Sequence, residues 1–520
     1  MSTSTSRHNN NDDPDEEASR LDGIATPEYH KSAVLHRKLH QNPRHVVASQ
    51  GHFLQLSNGQ EIFDATGGAA VACLGHGDIR IQHALVEQMQ EVSYCHSHFY
   101  ATRAAEDLAR LLADSTQGEM AYAFFVSSGS EAMEAALKMA RQYYLEKPNP
   151  EPERIHFISR HRSYHGSTLG ALAASGHAAR RAPFEPMLAT SCSQVSPCYA
   201  YRNMDLGTDD TISYLKRLEA ELDAEFQRVG PRAVAAFIIE PIVGAALGCV
   251  PPVAGYCAAV RQICDKYGAL LIFDEVMCGV GRTGPEPTAR FPQPLHAWQD
   301  PLIGVVPDIQ TIGKGLGGGY MPVAAMLASR RVGRALERGT GAFVHGQTYQ
   351  SHPLACKAAL AVQKIILQES LVANVRKQGL LLGRLLKEKL GSHHAVGEIR
   401  GKGLFWGIEF VKCRITKVPF DPDLGVAMGL HELGLQSPFN ISLYPGTGSA
   451  DGHRGDHILL APAYTVTSDE IRHIVETVTA VVTKFFENLF DSGHFGGERI
   501  WDENRIMLRI DSFVATGTSK

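Results

Sequence analysis

Between residues 121 and 312 short uninterrupted apolar runs alternate with stretches whose apolar positions recur every three or four residues. The runs at 121–126, 155–158, 234–239, 270–273 and 309–312 predict strands, and the stretches at 130–145, 212–228 and 258–267 predict amphipathic helices. Strands that are apolar at every position are buried on both faces, and helices between them make the crossovers of a mainly parallel α/β sheet. Before this region, Phe53-Leu54, a turn at Asn58-Gly59 and Ile62-Phe63-Asp64 predict short strands, and 79–92 and 107–112 predict helices. After it, 354–390 is strongly helical, 399–411 and 458–462 predict strands, and 471–489 predicts a final helix.

In an open α/β sheet, ligands bind outside the carboxyl ends of the strands. Immediately after the predicted strands stand Ser127-Ser128-Gly129-Ser130, Glu240-Pro241, Asp274-Glu275 and Gly313-Lys314. A small-residue loop, two acids and a lysine therefore converge on one sheet edge.

Composition narrows the partner. Of the 520 residues, 44% are hydrophobic and 20% charged, and the net charge of −5 supplies no basic surface for nucleic acid or anionic lipid. No apolar run approaches the ~20 residues of a membrane span. The expected partner is a small molecule. The ten cysteines form no C-x-x-C pair and no zinc spacing, which predicts free thiols, no metal centre and a reducing compartment. The first residues are polar and acid-rich, so 1–25 is expected to be a disordered tail, neither a presequence nor a secretion signal. A cytoplasmic location is the expectation.

Each candidate group has a plainer alternative. Ser128, Gly129 and Ser130 open a helix, where unpaired N–H groups and the dipole hold phosphate, but serine there also simply caps. Met133, Ala136, Leu137, Ala140 and Tyr144 form the apolar face of that helix, and Glu134 with Lys138 is spaced as a surface ion pair. Asp274 behind a buried strand needs a cationic or hydrogen-bonding partner, such as a pyridinium nitrogen, or else caps the next segment. Lys314 lies between glycines that would admit a bulky cofactor, and partial desolvation would make it an amine base. The surrounding G-K-G-L-G-G-G lacks the order of a nucleotide-binding P-loop. Tyr164-His165-Gly166 offers an aromatic face for a flat ligand, although such tyrosines commonly just pack.

Taken in order, Val126-Ser127-Ser128-Gly129-Ser130-Glu131-Ala132, Tyr164-His165-Gly166, Glu240-Pro241, Asp274-Glu275-Val276, Gly313-Lys314-Gly315 and His345-Gly346-Gln347-Thr348-Tyr349-Gln350 resemble the class III pyridoxal 5′-phosphate (PLP)-dependent aminotransferases of fold type I. Leu74-Gly75-His76 and Pro353-Leu354-Ala355-Cys356 fit as well. The resemblance implies a large PLP-binding domain at 96–355. It implies a smaller α+β domain built from both chain ends, 26–95 and 356–490, with an extension at 491–520. It also implies that Lys314 forms the Schiff base with PLP, that Asp274 pairs with the pyridine nitrogen, and that Val276 and Tyr164 sandwich the ring. Ser128, Gly129 and Ser130 would bind the phosphate, Glu240 would order the polar network, and Thr348 would reach the phosphate of a neighbouring subunit in a homodimer with shared active sites. The activity implied is transfer of an amino group from an amino acid or amine to a keto acid or aldehyde. An aminomutase, racemase or decarboxylase on the same scaffold is the rival, and a non-catalytic binding protein a more distant one.

Two positions depart from the family. Met277-Cys278 replaces the common Gln-Thr, a variation seen among ω-amine-type members. The arginine that clasps a substrate carboxylate lies shortly before a late Gly-Asp; Gly452 holds that place here, and Arg454 is the nearest arginine to take the role.

Overall fold

The computed structural model describes residues 32–205 and 207–491. The expected tail at 1–25 and, apart from Asp491, the extension lie outside these residues. Chain contacts separate a leading unit, Met1–Val46, from a main unit, Val47–Lys520. The described part of the leading unit holds bends and turns until β1 (Val46–Gln50) begins.

In the main unit β2 (Phe53–Leu56) and β3 (Glu61–Asp64) form an antiparallel hairpin closed by Gly59 at φ +85°. The central sheet has seven strands: β4 (Met120–Val126), β5 (His156–Arg160), β6 (Cys192–Val195), β7 (Val234–Ile239), β8 (Leu270–Asp274), β9 (Ile309–Ile312) and β10 (Ala324–Ser329), ordered β4-β10-β9-β8-β7-β5-β6. All neighbours from β9 to β6 are parallel, and β10 alone runs against both β4 and β9. The five predicted strands are present to within one or two residues. The two that the apolar pattern missed are the polar edge strand β6 (CSQV) and β10 (AAMLAS), whose small residues carry little strand propensity. Pairing on both sides, not propensity, makes β10 a strand.

Alternate side chains of β7 and β8 enter two cores on opposite faces. Phe237, Ile239, Leu271 and Phe273 join one, and Ala236, Ile238, Leu270 and Ile272 the other. Each large side chain buried this way contributes roughly 1.5–3 kcal/mol. The second core also holds the inner face of helix Gly129–Leu145, where Tyr144 anchors its hydroxyl on the carbonyls of Ala235 and Gly268, both at 2.9 Å. Glu134 and Lys138 do not pair as their spacing suggested. Glu134 accepts the Ala171 N–H at 3.1 Å, capping helix Leu169–Ala174, and Lys138 reaches His345 Nδ1 at 3.3 Å.

Two smaller sheets accompany the large one. β11 (Val396–Gly401), β12 (Trp406–Phe410), β14 (Tyr444–Thr447) and β15 (Asp456–Leu460) form an antiparallel sheet, while β13 (Ile441–Ser442) pairs in parallel with β3. Elements from both chain ends thus share one sheet. The helical run at 354–390 is two helices, Pro353–Gln368 and Leu371–Leu390, broken where Ser370 takes φ +53°. All ten cysteines are free thiols. Among the described residues no helix is long and apolar enough to cross a membrane.

Candidate active site

The register sets the site. Ile239 lies opposite Phe273, and Asp274 opposite Thr311, so Glu240, Asp274 and the Gly313-Lys314 step leave adjacent strands along one edge. Asp274 is only 5% exposed. Its Oδ2 accepts from His165 Nδ1 at 2.8 Å, and its Oδ1 from the Val276 N–H at 3.1 Å and the Thr311 hydroxyl at 3.2 Å. A carboxylate has about four lone-pair sites, so room for another donor remains. The far nitrogen of His165, Nε2, is buried and has no partner among the described residues.

Lys314 comes directly after β9, and its backbone is left-handed at φ +45°. A non-glycine residue pays for that conformation, and such strain clusters where function fixes a side chain. Burial pulls the Lys314 ammonium below the ordinary lysine range; Asp274 and Glu240 oppose this, and the Arg180 charge adds to it. Glu240 is buried too, with Oε1 accepting the Tyr164 N–H at 3.1 Å and Oε2 the Gly244 N–H at 2.9 Å. Burial raises its pKa, and the nearby His165 opposes the rise.

Opposite these groups, helix Gly129–Leu145 begins with a capping box. The Ser128 hydroxyl accepts the Glu131 N–H at 3.3 Å, and Glu131 Oε2 accepts the N–H groups of Ser127 and Ser128 at 2.7 and 3.2 Å. Ser128 is therefore engaged as a cap. The next two N–H groups, Gly129 and Ser130, have no acceptor among the described residues. Ser130 Oγ accepts the Ser167 N–H at 3.0 Å, a contact made possible by Gly166, at φ +143°, where a Cβ would come within 2.8 Å of that same oxygen. A Cβ on Gly129 would lie 2.8 Å from Val276 Cγ1, so the helix start is seated directly on the residue after the Asp-Glu pair.

These residues bring a desolvated amine, an embedded carboxylate and a helix start with open N–H groups together at one sheet edge. A flat heterocycle carrying a basic ring nitrogen and a phosphate fits that donor set. Tyr164 belongs to the same cluster through its backbone bond to Glu240, and the Arg180 guanidinium lies 4.6 Å above its ring. Two predicted residues stand apart. Thr348 is exposed, its carbonyl accepting the Tyr94 hydroxyl at 3.1 Å, while its neighbour Gln347 donates to Glu131 Oε2 at 2.9 Å. Arg454 has a side chain 56% exposed and donates from Nε to Asp451 Oδ2 at 2.7 Å. Sequence reasoning assigns no role to Thr311, takes His165 as structural and passes over Arg180. The contacts that single them out span distances along the chain that no local pattern records.

This geometry has counterparts in known proteins. Residues 34–482 match the family profile described as aminotransferase class-III. An aminotransferase of Gibberella zeae is 48% identical over 449 residues, which cover 86% of this chain and 85% of that protein. The diaminobutyrate–2-oxoglutarate transaminase of Halomonas elongata is 30% identical over 89% of this chain and 96% of its own. Among solved structures, an amine transaminase from an uncultivated Pseudomonas species, in its PLP-bound internal aldimine form, superposes with a TM-score of 0.77 at 30% identity, covering 89% of this chain and 100% of that one.

Proposed function

The chain belongs to the class III aminotransferases, and on that premise we propose that it moves an amino group from an amino acid or amine to a keto acid or aldehyde with PLP held at Lys314. The observation that carries this reading is the placing of Lys314 and a buried carboxylate, Asp274, at the ends of the adjacent parallel strands β9 and β8, with His165, Val276 and Thr311 holding the carboxylate in place. Asp274 would face the ring nitrogen, Val276 and Tyr164 the two ring faces, and the N–H groups of Gly129 and Ser130 the phosphate. Ser130 Oγ, already accepting from Ser167, keeps its own proton to donate. Ser128 would act on the phosphate through the helix start that it caps. When bound, PLP supplies the electron sink for the negative charge left at the substrate carbon.

The remaining work falls to side chains. Lys314 Nζ, desolvated and depressed in pKa, would be displaced from PLP by the incoming donor amine, and as a free amine it would take up and hand back the proton of the substrate carbon, a role typically worth ~10²–10⁴-fold. Asp274, its negative charge buried and fixed, would keep a proton on the ring nitrogen. Glu240 braces the Tyr164 backbone and so the ring face above. Substrates are a small-molecule amino donor and keto acceptor, and the ten free thiols accord with a cytosolic setting. Incubating the PLP-loaded protein with panels of amines and of keto acids tests the reading: paired loss of the donor and formation of a new amino acid supports it. Racemised or decarboxylated donor without keto-acid dependence would overturn it.

We also place the protein in a homodimer with shared sites. Val344 is 78% exposed and Tyr349 57%, on either side of Thr348 along the chain, and Tyr94, 42% exposed, packs against Tyr349 and bonds the Thr348 carbonyl, an apolar surface that a second copy would cover. Thr348 is then the residue that reaches the partner's phosphate. Mixing inactive Lys314→Ala with inactive Thr348→Ala subunits is expected to restore activity, since one site of each mixed dimer carries both lesions and the other neither. Mixed dimers that form and stay inactive would refute the shared site.

A further inference from the structure

The sequence leaves the binder of the substrate carboxylate open, because Gly452 stands where the family arginine is expected. A Cβ added at Gly452 would come within 3.1 Å of the Ala178 Cβ. The space next to that position is thus taken by the short helical turn Ala178–Arg181, which ends in two arginines.

The arginines around this turn differ in what they already hold. Arg160 donates to the Glu240 carbonyl at 2.6 Å. Arg162 donates to the carbonyls of Ser449 and Ala450 at 2.9 and 2.6 Å, binding the 448–455 loop to the sheet edge. Arg181 spans the carbonyls of Leu172, Ala173 and Ser175 and pairs with Glu185 at 2.8 Å. Arg454 is paired with Asp451. Arg180 is the exception: among the described residues its guanidinium makes neither an ion pair nor a hydrogen bond, and it lies half-buried over the Tyr164 ring at 4.6 Å. Tyr164 precedes His165, which is bonded to Asp274, and the Arg180 charge is among those that act on Lys314, so Arg180 lies beside the group of residues around the lysine. His177 beside it is pushed down to about 4 by burial and by Arg180, so it is neutral at pH 7 and leaves Arg180 as the cation facing the ring.

We infer that Arg180 is the specificity residue that binds the carboxylate of the keto-acid acceptor or amino-acid donor, in place of an arginine from the late loop. Its planar fork matches both carboxylate oxygens. The free guanidinium rests on the tyrosine face when no anion is present and is spared the cost of leaving a resident carboxylate. This inference rests on the transaminase reading.

The test uses full-length, PLP-loaded wild type, Arg180→Ala, Arg180→Lys and Arg454→Ala, with pyruvate as acceptor, 1-phenylethylamine as uncharged-tail donor and calorimetric binding of propionate, which cannot react. Arg180→Ala is expected to raise the KM for pyruvate and the Kd for propionate roughly tenfold to more than a hundredfold while leaving the KM for the amine unchanged. Arg180→Lys should recover part of the loss, since a point charge replaces a fork. An unchanged propionate Kd, an equal rise for acid and amine, or a selective loss in Arg454→Ala instead would overturn the assignment. A wild type that transfers no amino group would refute the transaminase reading, and the propionate arm would still decide on Arg180.

Discussion

Replacing Lys314 by alanine is expected to abolish amino transfer without unfolding the protein. Loss of the positioned proton transfer alone should cost about 10²–10⁴-fold in kcat, and loss of covalent attachment adds to it. Borohydride reduction of the wild-type holoenzyme and subsequent peptide mapping should place the pyridoxyl group on Lys314; a different modified lysine would overturn the assignment. Stability should move the other way. Burial holds the folded pKa of Lys314 below its unfolded value, so the unfolded chain binds the proton more tightly. That difference destabilises the fold below the folded pKa, and stability is regained as pH rises from there towards the ordinary lysine value. Alanine removes this penalty, so the cofactor-free variant should melt no lower than cofactor-free wild type at pH 7. A marked fall in Tm would show that the lysine is structural.

The second large effect is expected from Asp274→Asn. The substitution keeps shape but removes the buried negative charge, and its amide N–H₂ takes the place of one of the two oxygens that accept from His165 on one side and from Val276 and Thr311 on the other, so at least one donor loses its acceptor. Removing one preorganised electrostatic partner in a dry site costs on the order of 10²–10³-fold in rate. The same charge raises the Lys314 pKa, so its loss should also move the acidic limb of the pH profile, where the lysine must shed its proton to act as base, to lower pH. PLP should still bind through the helix start. Near-normal turnover would transfer the role to Glu240, the other buried acid at this edge.

Both residues were legible in the sequence because strand ends are legible. Apolar runs marked β7, β8 and β9 closely, and the residue next after a buried strand lies at the sheet edge whatever the rest of the chain does. The groups that hold Asp274 were less visible. His165 reaches it from the loop after β5 and Thr311 from β9, and only the register of β8 against β9 brings Asp274 opposite Thr311. Ser128 was open to plain capping, the commoner role of a serine at a helix start, as well as to phosphate, and its hydroxyl proves to be bound to Glu131, which leaves the two N–H groups after it open. Arg180 lies in His177-Ala178-Ala179-Arg180-Arg181, a run with no periodicity that separates one arginine from the other. Their partners separate them, and partners are a property of the fold.

The parallel pairing of Ile441 with Phe63 and of Ser442 with Asp64 has a consequence for synthesis on the ribosome. At about 5–20 residues per second, β3 emerges on the order of tens of seconds before the strand that completes it. Through that interval its β13-facing edge offers backbone groups to any passing strand, while the large sheet, which needs nothing beyond Ser329, can already close. Nascent chains should therefore acquire a protease-resistant large sheet first, with the hairpin of β2 and β3 as the segment that chaperones guard longest.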